Sequence, residues 1–275
     1  MPVAFPPDRS TGAVQITLAA AALISMATVA LAIDSAQQVA EIYSQHVDRR
    51  LDVPEAEQRS YAAALERALQ ARSVVPLSSQ FIVVVDRSPH IQAVMLFWRS
   101  STGESVFIGA SPTSTGRPSG FEHFETPLGV FDHSIANLDF RAEGTRNELG
   151  ICGYGVKGMR VYDFGWVEGR RGWGKKDEGT MPLQMHATDT RFLEPRLGTR
   201  QSKGCIRIPA TLNQFFDQYG ILDADYERAL AENHSFWVLR PDREPTPWSG
   251  RFLIVIETSR ASRPDWARPA GPRKP

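Results

Sequence analysis

The sequence predicts a mainly β protein with short helices, an α+β class, entered through an N-terminal helical segment. Three observations carry that expectation. Three short runs of strand-favouring residues follow one another between Gln80 and Ala110. The 19 prolines and 21 glycines in 275 residues favour turns over long helices after the first quarter of the chain. A sustained 3.6-residue apolar period is confined to the stretch from Asp34 to about Arg72.

Taken in order, Ala13 to Ile33 is almost unbroken in apolar or small residues, about long enough to cross a bilayer as a helix. Ala30-Leu31-Ala32 fits a small-x-small cleavage site, and Arg9, offset by Asp8, is the only basic residue before the run. Residues 1–33 therefore read as a signal peptide or a membrane anchor. Either places the remainder outside the cytoplasm. Residues 34–78 read as a helical arm, either a stalk or a packing arm: Val39, Ile42, Tyr43, Val47 and Leu51 mark one helix, and Pro54 opens a second that carries Tyr61, Leu65 and Leu69. His46 reads as a solvated helix residue. Phe81–Val85, Ala93–Trp98 and Ser105–Ala110 read as antiparallel strands. Thr126-Pro127 is an extended residue before proline, turning into a strand at Gly129; His123 and His133 flank it as loop histidines. A strand from Met159 ends at Gly165, and Trp166 to Gly179 reads as a charged glycine loop, either a flap over a site or an ordinary surface loop. Helices are expected over 210–219 and 223–232, the latter with Asp223 as N-cap, then a closing strand at Phe236–Leu239. The main domain spans 79–241. Residues 242–275 form an extension with one extra strand at Phe252–Ile256 and a largely disordered Pro/Arg/Ala tail.

Lys+Arg and Asp+Glu are each 31, so the balance gives no support for a nucleic-acid partner. The two cysteines, Cys152 and Cys205, read either as a disulfide, which an exported chain permits, or, as the Gly-Cys motif favours, as a buried thiol and a reactive one. Two cysteines without a His/Cys cluster argue against structural zinc, and neither metal nor cofactor is expected. The informative stretch is His186 to Ile208, which ends Ser202-Lys203-Gly204-Cys205-Ile206-Arg207-Ile208. Gly204 lets the backbone approach a ligand or take positive φ. An imidazole base and nearby cations such as Arg207, Lys203 and Arg200 favour the reactive thiolate. His186 is the candidate base, at the end of an apolar strand.

This arrangement resembles the signature of the L,D-transpeptidases, cysteine enzymes that remodel peptidoglycan: a histidine, a spacer, then Ser/Thr-His-Gly-Cys, an apolar residue and Asn or Arg. The family base falls on His186, the nucleophile on Cys205, and the motif positions on Ser202, Gly204 and Arg207. Lys203 stands where the family has a second histidine. Thr126-Pro127-Leu128-Gly129-Val130-Phe131 is a second point of resemblance, and the likeness spans roughly Gln80 to Arg240. It implies a mixed β-sandwich with Cys and His on neighbouring strands, and main-chain N–H groups around Gly204 and Cys205 stabilising an oxyanion. It also implies the Ala187 carbonyl orienting His186, and a periplasmic or envelope location. Arg207 would bind a substrate carboxylate or make a structural salt bridge. The implied activity is acyl transfer between peptidoglycan stem peptides. The alternatives are hydrolysis of the same thioester, as carboxypeptidase or amidase, and a non-catalytic envelope-binding domain.

Overall fold

A computed structural model of the chain describes residues 35–74 and 78–268. The expected signal or anchor at 1–33 lies outside the described residues. Among those described, no helix is long and apolar enough to cross a membrane.

The architecture is mixed α+β, with two sheets and few helices. The larger sheet holds β1 (Gln80–Asp86), β2 (Ala93–Arg99), β3 (Ser105–Pro112), β4 (Gly129–Asp132) and β9 (Phe252–Ile256), in the order β3-β2-β1-β9-β4. The smaller holds β5 (Phe140–Arg141), β6 (Arg160–Arg170), β7 (Glu178–Ala187) and β8 (Ile206–Ile208), in chain order. The expected β1–β2–β3 meander is antiparallel throughout. Among the described residues four α-helices accompany the sheets: α1, over residues 35–46, α2 (Glu55–Ala71), α3 (Ala210–Tyr219) and α4 (Ala224–Ala231).

The main core lies between the sheets. Phe81, Val83 and Val85 of β1 and Leu96 and Trp98 of β2 meet Tyr162, Leu183, Met185, Ile206 and Ile208 from the smaller sheet. The alternate residues of β1 and β2 face the other way. Ile82, Val84, Met95 and Phe97 pack under α2 against Tyr61, Leu65 and Leu69. Both strands are thus buried on both faces, which is why their sequences are apolar runs instead of alternating patterns.

This packing decides several expectations. The N-terminal helices pack on the domain and do not stand off it as a stalk. Tyr43 and Val47 of the α1 segment enter the inter-sheet core, and α2 roofs the larger sheet. Gly109 shows how closely α1 docks. A Cβ there would fall 2.2 Å from the Tyr43 ring, and the Tyr43 hydroxyl pairs with Ser111 Oγ at 2.7 Å. The extra strand of the C-terminal extension is β9, an interior strand parallel to β1 and antiparallel to β4. Its all-apolar sequence, FLIVI, reflects that position. The expected closing strand at Phe236–Leu239 is instead a turn region with Trp237 exposed. The described part of the tail is ordered against the domain: Arg263 donates to the carbonyls of Pro89, Ile91 and Gly198, and Ala267 is buried. Asp223 precedes α4 but makes no side-chain cap; its carboxylate is held by Arg160 and Arg243.

Candidate active site

The register of the smaller sheet assembles the site. Asp163 pairs with Gln184 and Val161 with His186 across β6–β7, while His186 pairs with Arg207 across the parallel β7–β8 ladder. Cys205 immediately precedes β8, so the same register sets it beside Gln184. Side chains alternate faces along a strand. Tyr162, Met185 and Ile206 point into the core. Asp163, Gln184, His186, Cys205 and Arg207 therefore share the opposite face. Residues 19 positions apart in sequence become neighbours because β7 and β8 run parallel, a pairing that needs a long crossover.

His186 ends the apolar strand β7 and is buried. Its Nδ1 lies 2.5 Å from the Ala187 carbonyl oxygen. A carbonyl only accepts, so Nδ1 carries the proton and Nε2 is left as the basic nitrogen. Burial, reinforced by the positive charge of Arg207, pushes the imidazole pKa down to about 4. The Cys205 thiol is pushed above its ordinary value, chiefly by burial and further by the Asp163 carboxylate. The main-chain N–H groups of Gln184 and Cys205 and the Arg207 guanidinium act against that shift. Thiol and imidazole are thus both neutral at pH 7. No hydrogen bond joins them among the described residues. Both cysteines are free, and Cys205 is part-exposed where Cys152 is buried.

The loop before Cys205 is fixed by three separate segments. Gly204 has φ +136°, and a Cβ there would meet Met181 Cε at 2.6 Å. Ser202 Oγ donates to the Cys205 carbonyl at 2.5 Å and accepts from Gly204 N–H at 3.1 Å. Thr126, fully buried, accepts from Gly116 N–H at 2.8 Å and donates to the Gly204 carbonyl at 2.6 Å. The Thr-Pro turn is therefore a clamp on the Cys205 loop. One expectation changes here: the Gly204 N–H is already engaged by Ser202, so it is not a free oxyanion donor. The main-chain N–H groups of Gln184 and Cys205 act on the thiol by lowering its pKa.

The expected cation cluster reduces to Arg207. Lys203 is exposed and paired with Glu122 at 2.9 Å, and Arg200 is paired with Glu257 at 2.7 Å. Arg207 has no carboxylate partner among the described residues. Its Nε is buried without a hydrogen bond, and its one side-chain bond is a long 3.5 Å contact to the Gln201 carbonyl. The structural salt bridge weighed for it is absent. Burial, joined by repulsion from Arg117, holds its pKa below the ordinary arginine value despite the opposing effect of Cys205.

The expected flap is mostly the β6–β7 hairpin, whose Trp173 packs edge-on against Phe124. The residue that covers the site is Tyr154, from the glycine-rich loop between β5 and β6. Its ring lies 4.5 Å from that of His186, and its hydroxyl donates to Gln184 Oε1 at 3.0 Å. Gln184 Nε2 in turn donates to Asp163 Oδ2 at 2.9 Å. Tyr154, Gln184 and Asp163 carry no local motif; Gly153 and Gly155 around Tyr154 were the only sequence signal. His133, expected in a loop, is fully buried between Leu222 O and Asp139 in a separate ion network.

Chemically, the face offers a part-exposed sulfur, a neutral base of fixed tautomer, main-chain donors at the sulfur and one unpaired guanidinium. Among the described residues, no cluster of three or more His, Cys, Asp or Glu side chains is arranged to hold a metal ion. Compared with known proteins, no family model matches the chain and no curated protein matches its sequence.

Proposed function

We propose that the chain is an L,D-transpeptidase acting on peptidoglycan stem peptides in the periplasm or cell envelope. The observation that carries this reading is the common sheet face of Cys205 and His186, with the His186 tautomer set by the Ala187 carbonyl. The Ser202/Gly204/Arg207 motif and the Thr126 clamp converging on the same loop add support.

In this reading His186 Nε2 accepts the Cys205 proton as the sulfur attacks the carbonyl of the third residue of a tetrapeptide stem. A neutral pair suits the step, because the base is unprotonated and charge develops only as the S–C bond forms. The Cys205 and Gln184 N–H groups stabilise the oxyanion. Collapse breaks the C–N bond, the imidazolium returns its proton to the departing D-alanine amine, and a thioester remains. An amine of a second stem attacks the thioester, gives its proton to His186, and the thiol is regenerated with a 3→3 cross-link. Arg207 binds a substrate carboxylate through its planar fork.

The test is incubation of purified muropeptides with the wild type and with Cys205→Ala. Cross-linked dimers and free D-alanine are expected from the wild type. The variant should lose about 10⁴-fold or more in rate while staying folded. Tripeptides without dimers would replace transfer by hydrolysis. Equal retention of peptidoglycan by both proteins, with no turnover, would leave a binding domain.

A further inference from the structure

Tyr154 and Asp163 are the two ends of one hydrogen-bond chain over the catalytic face, and that chain runs in a single direction. Asp163 accepts at both oxygens, Oδ1 from Gly165 N–H at 2.7 Å and Oδ2 from Gln184 Nε2 at 2.9 Å. A carboxylate has no hydrogen to give, so the Gln184 amide nitrogen faces it and the amide oxygen faces away. That oxygen meets the Tyr154 hydroxyl at 3.0 Å. An amide oxygen only accepts, so the tyrosine hydrogen is committed to Gln184. Burial, joined by the charges of Cys205 and Asp163, raises the Tyr154 pKa and keeps that hydrogen on its oxygen. To a ligand the hydroxyl therefore offers lone pairs alone. Its place gives them a use. The Tyr154 ring lies 4.5 Å from that of His186, and the Gln184 that its hydroxyl reaches stands beside Cys205 in the strand register.

We propose that Tyr154 accepts a hydrogen bond from the N–H of the scissile amide, with Gln184 and Asp163 as positioning residues that fix its polarity. This rests on acyl transfer at Cys205. In the tetrahedral adduct the nitrogen holds its hydrogen against Tyr154, which turns the nitrogen lone pair toward the His186 imidazolium. The C–N bond then breaks as the proton passes from His186 Nε2 to nitrogen, and Tyr154 neither gives nor takes one. In the second half the attacking amine loses one hydrogen to His186 and holds another on the same oxygen. Tyr154 is thus not a donor to the oxyanion. An ester, whose leaving oxygen bears no hydrogen, gains nothing from it.

The experiment is single-turnover acylation of Cys205 without acceptor, read by intact mass. Two tetrapeptide donors are compared that differ only in the last linkage, an amide or the corresponding ester. The amide-to-ester rate ratio within one protein cancels effects on the thiol and on folding. Tyr154→Phe should lower that ratio about two- to tenfold, the range of one neutral hydrogen bond. In Asp163→Asn the side-chain oxygen stays with the fixed Gly165 N–H, and the new amide NH2 faces Gln184. Gln184 then turns over, donates to Tyr154 and frees the tyrosine hydrogen, so this variant should lower the ratio by a similar factor. An unchanged ratio in Tyr154→Phe, with both donors slowed equally, overturns the proposal and makes the hydroxyl an oxyanion donor or a support for its loop. A ratio that falls in Tyr154→Phe and not in Asp163→Asn overturns the fixed polarity. If wild type is acylated by neither donor, the transfer reading itself fails, and the role of Tyr154 with it.

Discussion

Two arginines on adjacent parts of the smaller sheet have opposite fates. Arg160, at the start of β6, is fully buried and ion-paired on three sides: Nε meets Asp139 at 2.7 Å, and the terminal nitrogens meet Asp223 at 2.7 Å and Asp217 at 3.5 Å. Around it Arg141 pairs with Asp217, Arg243 with Asp223 and Glu227, and His133 with Asp139. Burial would lower the Arg160 pKa, yet Asp223 and Asp139 raise it well above its ordinary value. Arg207, on β8, is left without a carboxylate, and its pKa is lowered. A guanidinium ion-paired within the chain serves the fold. One without a carboxylate, in the function proposed above, is left to meet a substrate's.

The largest expected effect tests the ion-paired arginine. Asp139→Ala strands both Arg160 and His133 and should cost about 3–5 kcal/mol by urea denaturation. A loss below about 1 kcal/mol would mean that water replaces the carboxylate and that the two arginines differ less than their partners suggest. The pH dependence sharpens the same point. Burial favours the neutral ring of His133, but Asp139 outweighs it and the pKa is raised. Its contribution should be complete below about pH 6.5 and fade as pH rises through the higher folded value. In wild type, that stability loss on the alkaline side should disappear with Asp139→Asn.

For Arg207 the expectation is reversed. Arg207→Gln should reduce Cys205 acylation about tenfold to a hundredfold, with stability changed by no more than about 0.5 kcal/mol. A large drop in stability would make it a structural arginine after all. Titration of the thiol comes next in size. Alkylation of Cys205 by iodoacetamide should keep accelerating above the ordinary cysteine pKa of about 8.5, because burial and Asp163 raise it. A plateau below pH 7 would indicate a preformed thiolate–imidazolium pair. The smallest effect belongs to Tyr154→Phe, which keeps the ring on His186 and removes the hydroxyl from Gln184. Its loss of one neutral hydrogen bond should slow acylation about two- to tenfold.

Much of the local structure was legible. The three opening strands and the helix over 210–219, which ends at Gly220 with φ +58°, follow from side-chain shape and glycine's freedom. Cys205 and His186 were visible because Gly-Cys and a histidine closing an apolar strand are local patterns. Tyr154, Gln184 and Asp163 were not, since each matters only through cross-strand neighbours. The strand expected at Phe252–Ile256 is β9, whereas the one expected at Phe236–Leu239 is a turn region. Both are short apolar runs, and only the free slot beside β1 decides which one pairs.

The amino-acid order alone settled which segments are apolar, where they turn and which residues bear chemistry, because those properties act over a few neighbouring positions. The folded structure decided that β9 lies beside β1 and β8 beside β7, that α1 and α2 belong to the core, and which charges are left unpaired. Those outcomes depend on contacts between residues tens to more than a hundred positions apart. Local pattern cannot rank such contacts, because each competes for the same limited space on the two sheets.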